Sequence, residues 1–286
     1  MRITPRDYQA EANTALWAYF AEKYGNPVVA MPTGTGKSVV IALFLESIFR
    51  AHWDQKVLVL THVKELIQQN YAKLLMLWPD APAGVNSAGL GQRDIHHRII
   101  FAGIASVCKF AAQFGKVDLV LIDEAHLVSP NEETMYRTFL NALRMVNPLL
   151  KVIGFTATPW RLGHGHIAEE GHIFTDVCFD ITGMEAFNRL IAEGYLSPLI
   201  PKRTQTVLNV DGVHMRGGEF IPSELQNAVD KDELTERALK ESLESGYGRQ
   251  CALVFASGVD HAINIHHMLT DMGEKSVVVH SKMSAS

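Results

Sequence analysis

The chain has 286 residues, 47% hydrophobic and 20% charged, with a net charge of −5 at pH 7. These values exclude a disordered or collagen-like polymer and fit one large or two ordinary globular domains. No apolar run reaches the ~18 residues of a membrane helix, no signal-peptide block opens the chain, and Cys108, Cys178 and Cys251 are isolated, so a reducing cytoplasm is expected. The acidic balance means that any nucleic-acid binding must come from a local patch.

In chain order, Ala10, Leu16, Trp17 and Phe20 stand at helical spacing and predict a helix over 6–24, closed by Gly25-Asn26-Pro27. Residues 28–31 read as a buried strand and 37–50 as a helix. The alternation continues with strand 56–61, helix 63–77, strands 98–102 and 118–122, helix 132–146 and strand 151–155. Strands of continuous apolar character between helices predict an α/β fold, a parallel sheet covered on both faces. From 160 to 222 the pattern weakens, with one helix expected at 183–193. Residues 223–245 then read as one helix, 251–255 as a strand, 259–272 as a helix and 276–280 as a strand. The expected organisation is a first lobe over 1–195, a connecting segment over 196–222 and the start of a second α/β lobe over 223–286. Trp17, Trp53 and Trp160 read as packing residues.

Two segments carry chemistry. Met31-Pro32-Thr33-Gly34-Thr35-Gly36-Lys37-Ser38 lies between a strand and a helix. Its glycines let the backbone curl so that N–H groups face phosphate oxygens, and the helix adds its positive end. Lys37 is then placed for the β and γ phosphates of ATP and Ser38 for Mg²⁺, although Met31 stands where the strict pattern has glycine. The second segment, Leu119-Val120-Leu121-Ile122-Asp123-Glu124-Ala125-His126, ends an apolar strand in paired carboxylates. Asp123 suits the metal, and Glu124 suits general-base work on the attacking water.

Asp123-Glu124-Ala125-His126, together with Thr156-Ala157-Thr158-Pro159, resembles motifs II and III of superfamily 2 helicases and translocases. Arg6-Asp7-Tyr8-Gln9 resembles the Q motif, Thr61 to Leu66 motif Ia, Gly103 to Val107 motif Ib, and Leu253 to Ser257 motif IV. The wording is most similar to the RadD-type DNA repair ATPases, through His62 to Leu66, Thr158 to Gly163 and Gly194 to Pro198. The resemblance implies RecA-like lobes, with Arg6 and Gln9 at the base of ATP. Thr33, Gly34, Thr35, Gly36, Lys37 and Ser38 would hold its phosphates, and Ser38 and Asp123 the Mg²⁺. Lys37, Asp123, Glu124 and His126 become the catalytic set. His126, Thr156 and Thr158 would couple nucleotide state to movement, and Thr61, His62, Lys64 and Ser106 would touch single-stranded or branched DNA. The implied function is the motor region of a DNA-dependent ATPase in repair or recombination, with protein partners of repair and no membrane. A restriction-type translocase motor, an RNA remodeller and a nucleotide-gated binding module are the alternatives. Since family members carry motifs V and VI beyond His280 to Ser284, the 286 residues alone are expected to turn over ATP weakly.

Overall fold

The computed structural model describes residues 4–128, 134–161, 165–169, 171–207, 209–216, 219–280 and 283. The first residues of the helix expected from 132, Leu162 and Gly163 of the family resemblance, and Ser281, Lys282 and Ser284 lie outside the described residues. The chain divides into two compact units, Met1–Pro198 and Leu199–Ser286.

The first unit runs α1 (Asp7–Glu22), β1 (Pro27–Ala30), α2 (Lys37–Ala51), β2 (Val57–Thr61), α3 (Lys64–Leu77), β3 (Ala83–Ser87), β4 (Gln92–Arg93), β5 (Ile99–Gly103), α4 (Ile104–Val107), β6 (Leu119–Asp123), α5 (Met135–Val146), β7 (Lys151–Thr156), β8 (Trp160–Arg161), β9 (Gly165–His166), β10 (Asp176–Asp180) and α6 (Met184–Ala192). Eight strands form one sheet in the order β10-β1-β7-β6-β2-β5-β3-β4, with β4 antiparallel to β3 and the other neighbours parallel. Successive side chains of a strand point to opposite faces, and the apolar runs divide accordingly. Val29, Val59, Phe101, Leu121 and Phe155 pack with α1, α2 and α3, while Val28, Leu60, Ala102, Ile122 and Val152 pack with α4 and α5. Because both faces are covered, whole strands are buried, and each fully buried Leu, Ile or Phe contributes roughly 1.5–3 kcal/mol of transfer free energy. Parallel strands all end at one edge, so the chain leaving β1, β2, β5, β6 and β7 converges there.

Several short elements, strands among them, escaped the sequence reading. β3 and β10 have polar or small residues at their ends, and β4 and the β8–β9 hairpin are two residues per strand. Two tryptophans also depart from expectation. Trp53 is 71% exposed, with the Arg98 guanidinium over its ring at 5.2 Å, and Trp160 is 66% exposed with its ring edge-on to His166 at 4.6 Å. Trp17 packs as expected, against Phe44, and its Nε1 donates to Ser47 Oγ at 3.0 Å.

The second unit holds a two-residue strand pair, β11 (Met215–Arg216) with β12 (Glu219–Phe220), followed by α7 (Pro222–Val229), α8 (Asp232–Ser245) and α9 (Val259–Asp271). The single helix expected over 223–245 is thus two. Asp230 and Lys231 leave helical geometry between them, and the Asn264 amide donates to both Asp230 Oδ1 and Asp232 Oδ1. A tertiary hydrogen bond overrides the local periodicity. The strands expected at 251–255 and 276–280 have no ladder in the structure. Apolar composition makes a strand only when a neighbour accepts its backbone hydrogen bonds, and Leu253, Phe255, Val277 and Val279 are exposed.

Candidate active site

The loop between β1 and α2 builds the first half of the site. Gly34 and Gly36 adopt left-handed backbone angles, φ +85° and +84°, that residues with a Cβ rarely take. The second turn starts α2 abruptly at Lys37, and Val39 and Val40 both donate to the Gly36 carbonyl. The leading N–H groups of α2 have no acceptor within the helix and are available to an anion. Thr33 and Gly34 are exposed and Ser38 half-buried. Thr35 is buried, its hydroxyl donating to the Pro32 carbonyl at 2.6 Å, so its side chain holds the loop's shape.

The start of α1 clamps this loop. Gln9, only 4% exposed, accepts from the Arg6 backbone N–H at 3.0 Å and donates through Nε2 to the Thr35 carbonyl at 2.8 Å. The Tyr8 hydroxyl donates to the same carbonyl at 3.0 Å and accepts from the Arg6 guanidinium at 2.8 Å. Arg6 in turn lies 4.5 Å from the centre of the Tyr195 ring. The Gln9 amide therefore already spends two of its hydrogen bonds inside the protein, bracing the glycine turn, which leaves one N–H for a base. A Cβ on Gly36 would come within 2.7 Å of Gln9 Nε2.

The second half comes from β6 and the residues after it. Parity along β6 sends Asp123 to the face of α2 and α3. There it is 4% exposed, accepts from Asn70 Nδ2 at 2.8 Å through Oδ2, and accepts the Glu124 backbone N–H at 3.0 Å through Oδ1. Burial holds the Asp123 carboxyl above the usual carboxylate range; the Glu124 charge adds to this, and the Asn70 amide and Lys37 ammonium oppose it. Glu124 takes φ +54°, the one left-handed non-glycine among the described residues, and this turns its carboxylate back so that Oε1 stands 3.6 Å from Lys37 Nζ. Residues 87 apart in sequence thus meet at the sheet edge. Glu124 Oε2 lies 3.4 Å from His126 Nδ1, which is 3.0 Å from Thr156 Oγ1. Thr156 Oγ1 accepts from the Thr158 backbone N–H at 3.0 Å and donates to the Thr158 carbonyl at 3.2 Å. Charge contacts from Lys37 through Glu124 to His126, and hydrogen bonds from His126 through Thr156, line up toward the exposed Thr158.

The expected strand contacts separate into two kinds. His62 and Lys64 are exposed, and half-buried Ser106 uses its hydroxyl to accept from the Ala88 backbone N–H at 2.9 Å. Thr61 is 1% exposed with its hydroxyl unpaired, so as the last residue of a buried strand it offers no surface to a strand of nucleic acid. His62 Nδ1 lies 3.2 Å from the hydroxyl of buried Tyr136 on α5; burial, with His126 nearby, depresses the imidazole's pKa. Asn70, Tyr8, Tyr136 and Tyr195 are site residues that sequence reasoning missed. Asn70 left a trace, because Ile67, Asn70 and Leu74 share the buried stripe of α3 and an amide there is anomalous.

A family model described as the Type III restriction enzyme, res subunit (ResIII) matches residues 2–161. The chain belongs to this family. The assignment places this ResIII chain among the superfamily 2 helicases and translocases, a class of ATPases. Among curated relatives, the endonuclease subunit of the type I restriction enzyme EcoAI from Escherichia coli is 22% identical over 301 residues, covering 98% of this chain and 36% of that protein. The ATP-dependent DNA helicase mph1 of Sclerotinia sclerotiorum is 25% identical over 169 residues, covering 55% of this chain and 13% of that one. The chain therefore spans a minor part of both relatives. Of solved structures, the ATP-dependent Type ISP restriction-modification enzyme LlaBIII bound to DNA is 19% identical, with a TM-score of 0.51 over 68% of this chain and 16% of that one. A nuclease-deletion mutant of the Type ISP enzyme LlaGI, in complex with a DNA substrate mimic, gives 16% and 0.50 over 68% and 21%. At these identities the likeness is one of fold, the RecA-like sheet with helices on both sides.

Proposed function

We propose that this ResIII chain is the ATP-hydrolysing motor region of a DNA helicase or translocase. The observation that carries the reading is the convergence of the Lys37 ammonium, the Glu124 carboxylate and buried Asp123 at the lip of a glycine turn. The donor set suits Mg²⁺-ATP on three counts. The turn is closed to any side chain at Gly36, Asp123 is a buried carboxylate without a cationic hydrogen-bond partner of its own, and the amide oxygen of the adjoining Asn70 is unpaired. Bound Mg²⁺-ATP supplies the scissile anhydride and the cation that neutralises its charge. The loop N–H groups and Lys37 would hold the phosphates, with Lys37 leaving Glu124. Ser38 and Asp123 would hold the metal, freed Glu124 would take the proton of the attacking water, and Arg6 and the spare Gln9 N–H would face the base. His126, Thr156 and Thr158 would carry the change outward, while His62, Lys64 and Ser106 contact the DNA backbone.

A restriction-type translocase is supported by the family description and by relatives that bear restriction-enzyme names. A role in repair is supported by the RadD-like wording of the motifs, as is a preference for single-stranded or branched DNA. The reducing cytoplasm fits the free thiols of Cys108, Cys178 and Cys251. ATP turnover measured with single-stranded DNA, duplex DNA, RNA or no polymer tests the proposal. DNA should stimulate turnover, and Lys37→Ala should lower it at least about a hundredfold. Turnover that no polymer stimulates, or that survives Lys37→Ala, would refute the motor reading.

A further inference from the structure

We propose that Asn70 is a positioning residue for Asp123, through which nucleic acid held at the head of α3 sets the geometry of the ATP site. The inference rests on the reading above, that the ATPase answers to DNA. α3 begins at exposed Lys64, directly after His62 and Val63, so a polyanion gripping those side chains loads the helix at its first turn. A helix is stiff along its axis, and six residues on, about 9 Å along it, Asn70 Nδ2 donates to Asp123 Oδ2 at 2.8 Å. Motion of the helix therefore arrives at one oxygen of the carboxylate as a change in a directional bond.

Packing alone does not account for this amide. Asn70 sits between Ile67 and Leu74 on the buried stripe of α3, and its Oδ1 has no partner. An unpaired buried amide oxygen costs about 1–3 kcal/mol, a penalty that leucine, continuing the stripe, would not carry. Asp123, by contrast, gains from the amide a neutral donor that orients it without neutralising it. A second connection runs on the opposite face of the sheet. His62, from the same turn, is 3.2 Å from the Tyr136 hydroxyl and 5.0 Å ring to ring. The segment that precedes α3 is thereby tied to α5 as well, and displacing it at one point moves both sides of β6.

The test compares the full-length protein with its Asn70→Ala, Asn70→Asp and Asn70→Leu variants. The readings are kcat and ATP KM with and without single-stranded DNA, DNA affinity, and thermal midpoint. DNA-stimulated kcat should fall about tenfold or more in all three variants, most in Asn70→Asp, where like charges meet. DNA affinity should stay within about threefold, and ATP KM should change by less than kcat does. Asn70→Leu is decisive, because losing the unpaired Oδ1 offsets part of what stranding Asp123 Oδ2 costs, so stimulation should fall by far more than any change in melting temperature explains. If Asn70→Leu is stimulated like wild type, or if turnover falls only in step with melting temperature, the assignment is overturned while the motor reading stands. Wild-type turnover indifferent to DNA would sink both.

Discussion

The first unit and the second both contain apolar runs, and these reach different ends. In Met1–Pro198, apolar runs such as Leu119 to Ile122 lie between paired strands and under helices on both faces, and they are buried throughout. In Leu199–Ser286, runs of the same character at 251–255 and 276–280 have no ladder, and Phe255 is 92% exposed. Helices α8 and α9 of that unit bury mainly Thr235, Leu239, His261 and Ile265, with the His261 imidazole between Ser257 Oγ at 2.8 Å and Thr235 Oγ1 at 3.4 Å. Apolar sequence sets where burial is available, and partners decide whether it happens. A sheet with helices on both sides supplies those partners for every strand but the outermost.

Four measurements break or sharpen this comparison. Phe139→Ala deletes a fully buried ring that meets Phe114 edge-on, and should cost about 3–5 kcal/mol of unfolding free energy. A denaturant titration that found a far smaller loss would show the first unit to be loosely packed. Gly36→Ala places a Cβ at a left-handed backbone and against Gln9, so a loss of about 1–3 kcal/mol is expected together with weaker nucleotide binding. Calorimetry with a fluorescent ATP analogue reads both. A smaller, pH-dependent effect belongs to Asp176, whose carboxyl is drawn down to about 2 by hydrogen bonds from Tyr19, Lys23 and Thr175 that tie β10 to α1. A pKa lower in the folded than in the unfolded chain gives stability that is full above the ordinary carboxylate range and lost as pH falls toward 2. Asp176→Asn should therefore flatten the melting temperature between pH 4 and 2. Phe255→Ser should change stability by no more than about 0.5 kcal/mol. A cost near that of Phe139→Ala would mean that the run is buried in solution, and the contrast between units would fail.

The same contrast explains what the sequence made legible. Buried parallel strands of Val, Leu and Ile announce themselves, as do a glycine turn before a helix and two acids closing a strand, so the sheet and the meeting of Lys37 with Glu124 could be anticipated. The partners of those residues were harder to see. The family resemblance implies that Gln9 faces the base, yet its amide spends two bonds bracing Thr35 and the start of α1, a distinction that depends on distances no motif encodes. Thr61 lies in a motif-like string but also at the end of a strand interior, and burial prevails. Asn70 and Tyr136 act through contacts 53 and 74 residues distant in sequence. Helix periodicity over 223–245 could not foresee that Asn264 would hold Asp230 and Asp232 apart as two helix ends.

The strand that carries the glycine turn is hydrogen-bonded to β7 on one side and β10 on the other, although those partners follow it by more than a hundred residues. During synthesis, a growing polypeptide will have displayed its glycine turn long before the flanking strands clasp it. Both of its strand neighbours are in place only when the segment through Asp180 has left the ribosome. A shortened product that lacks β7 and β10 consequently leaves both edges of that strand without partners.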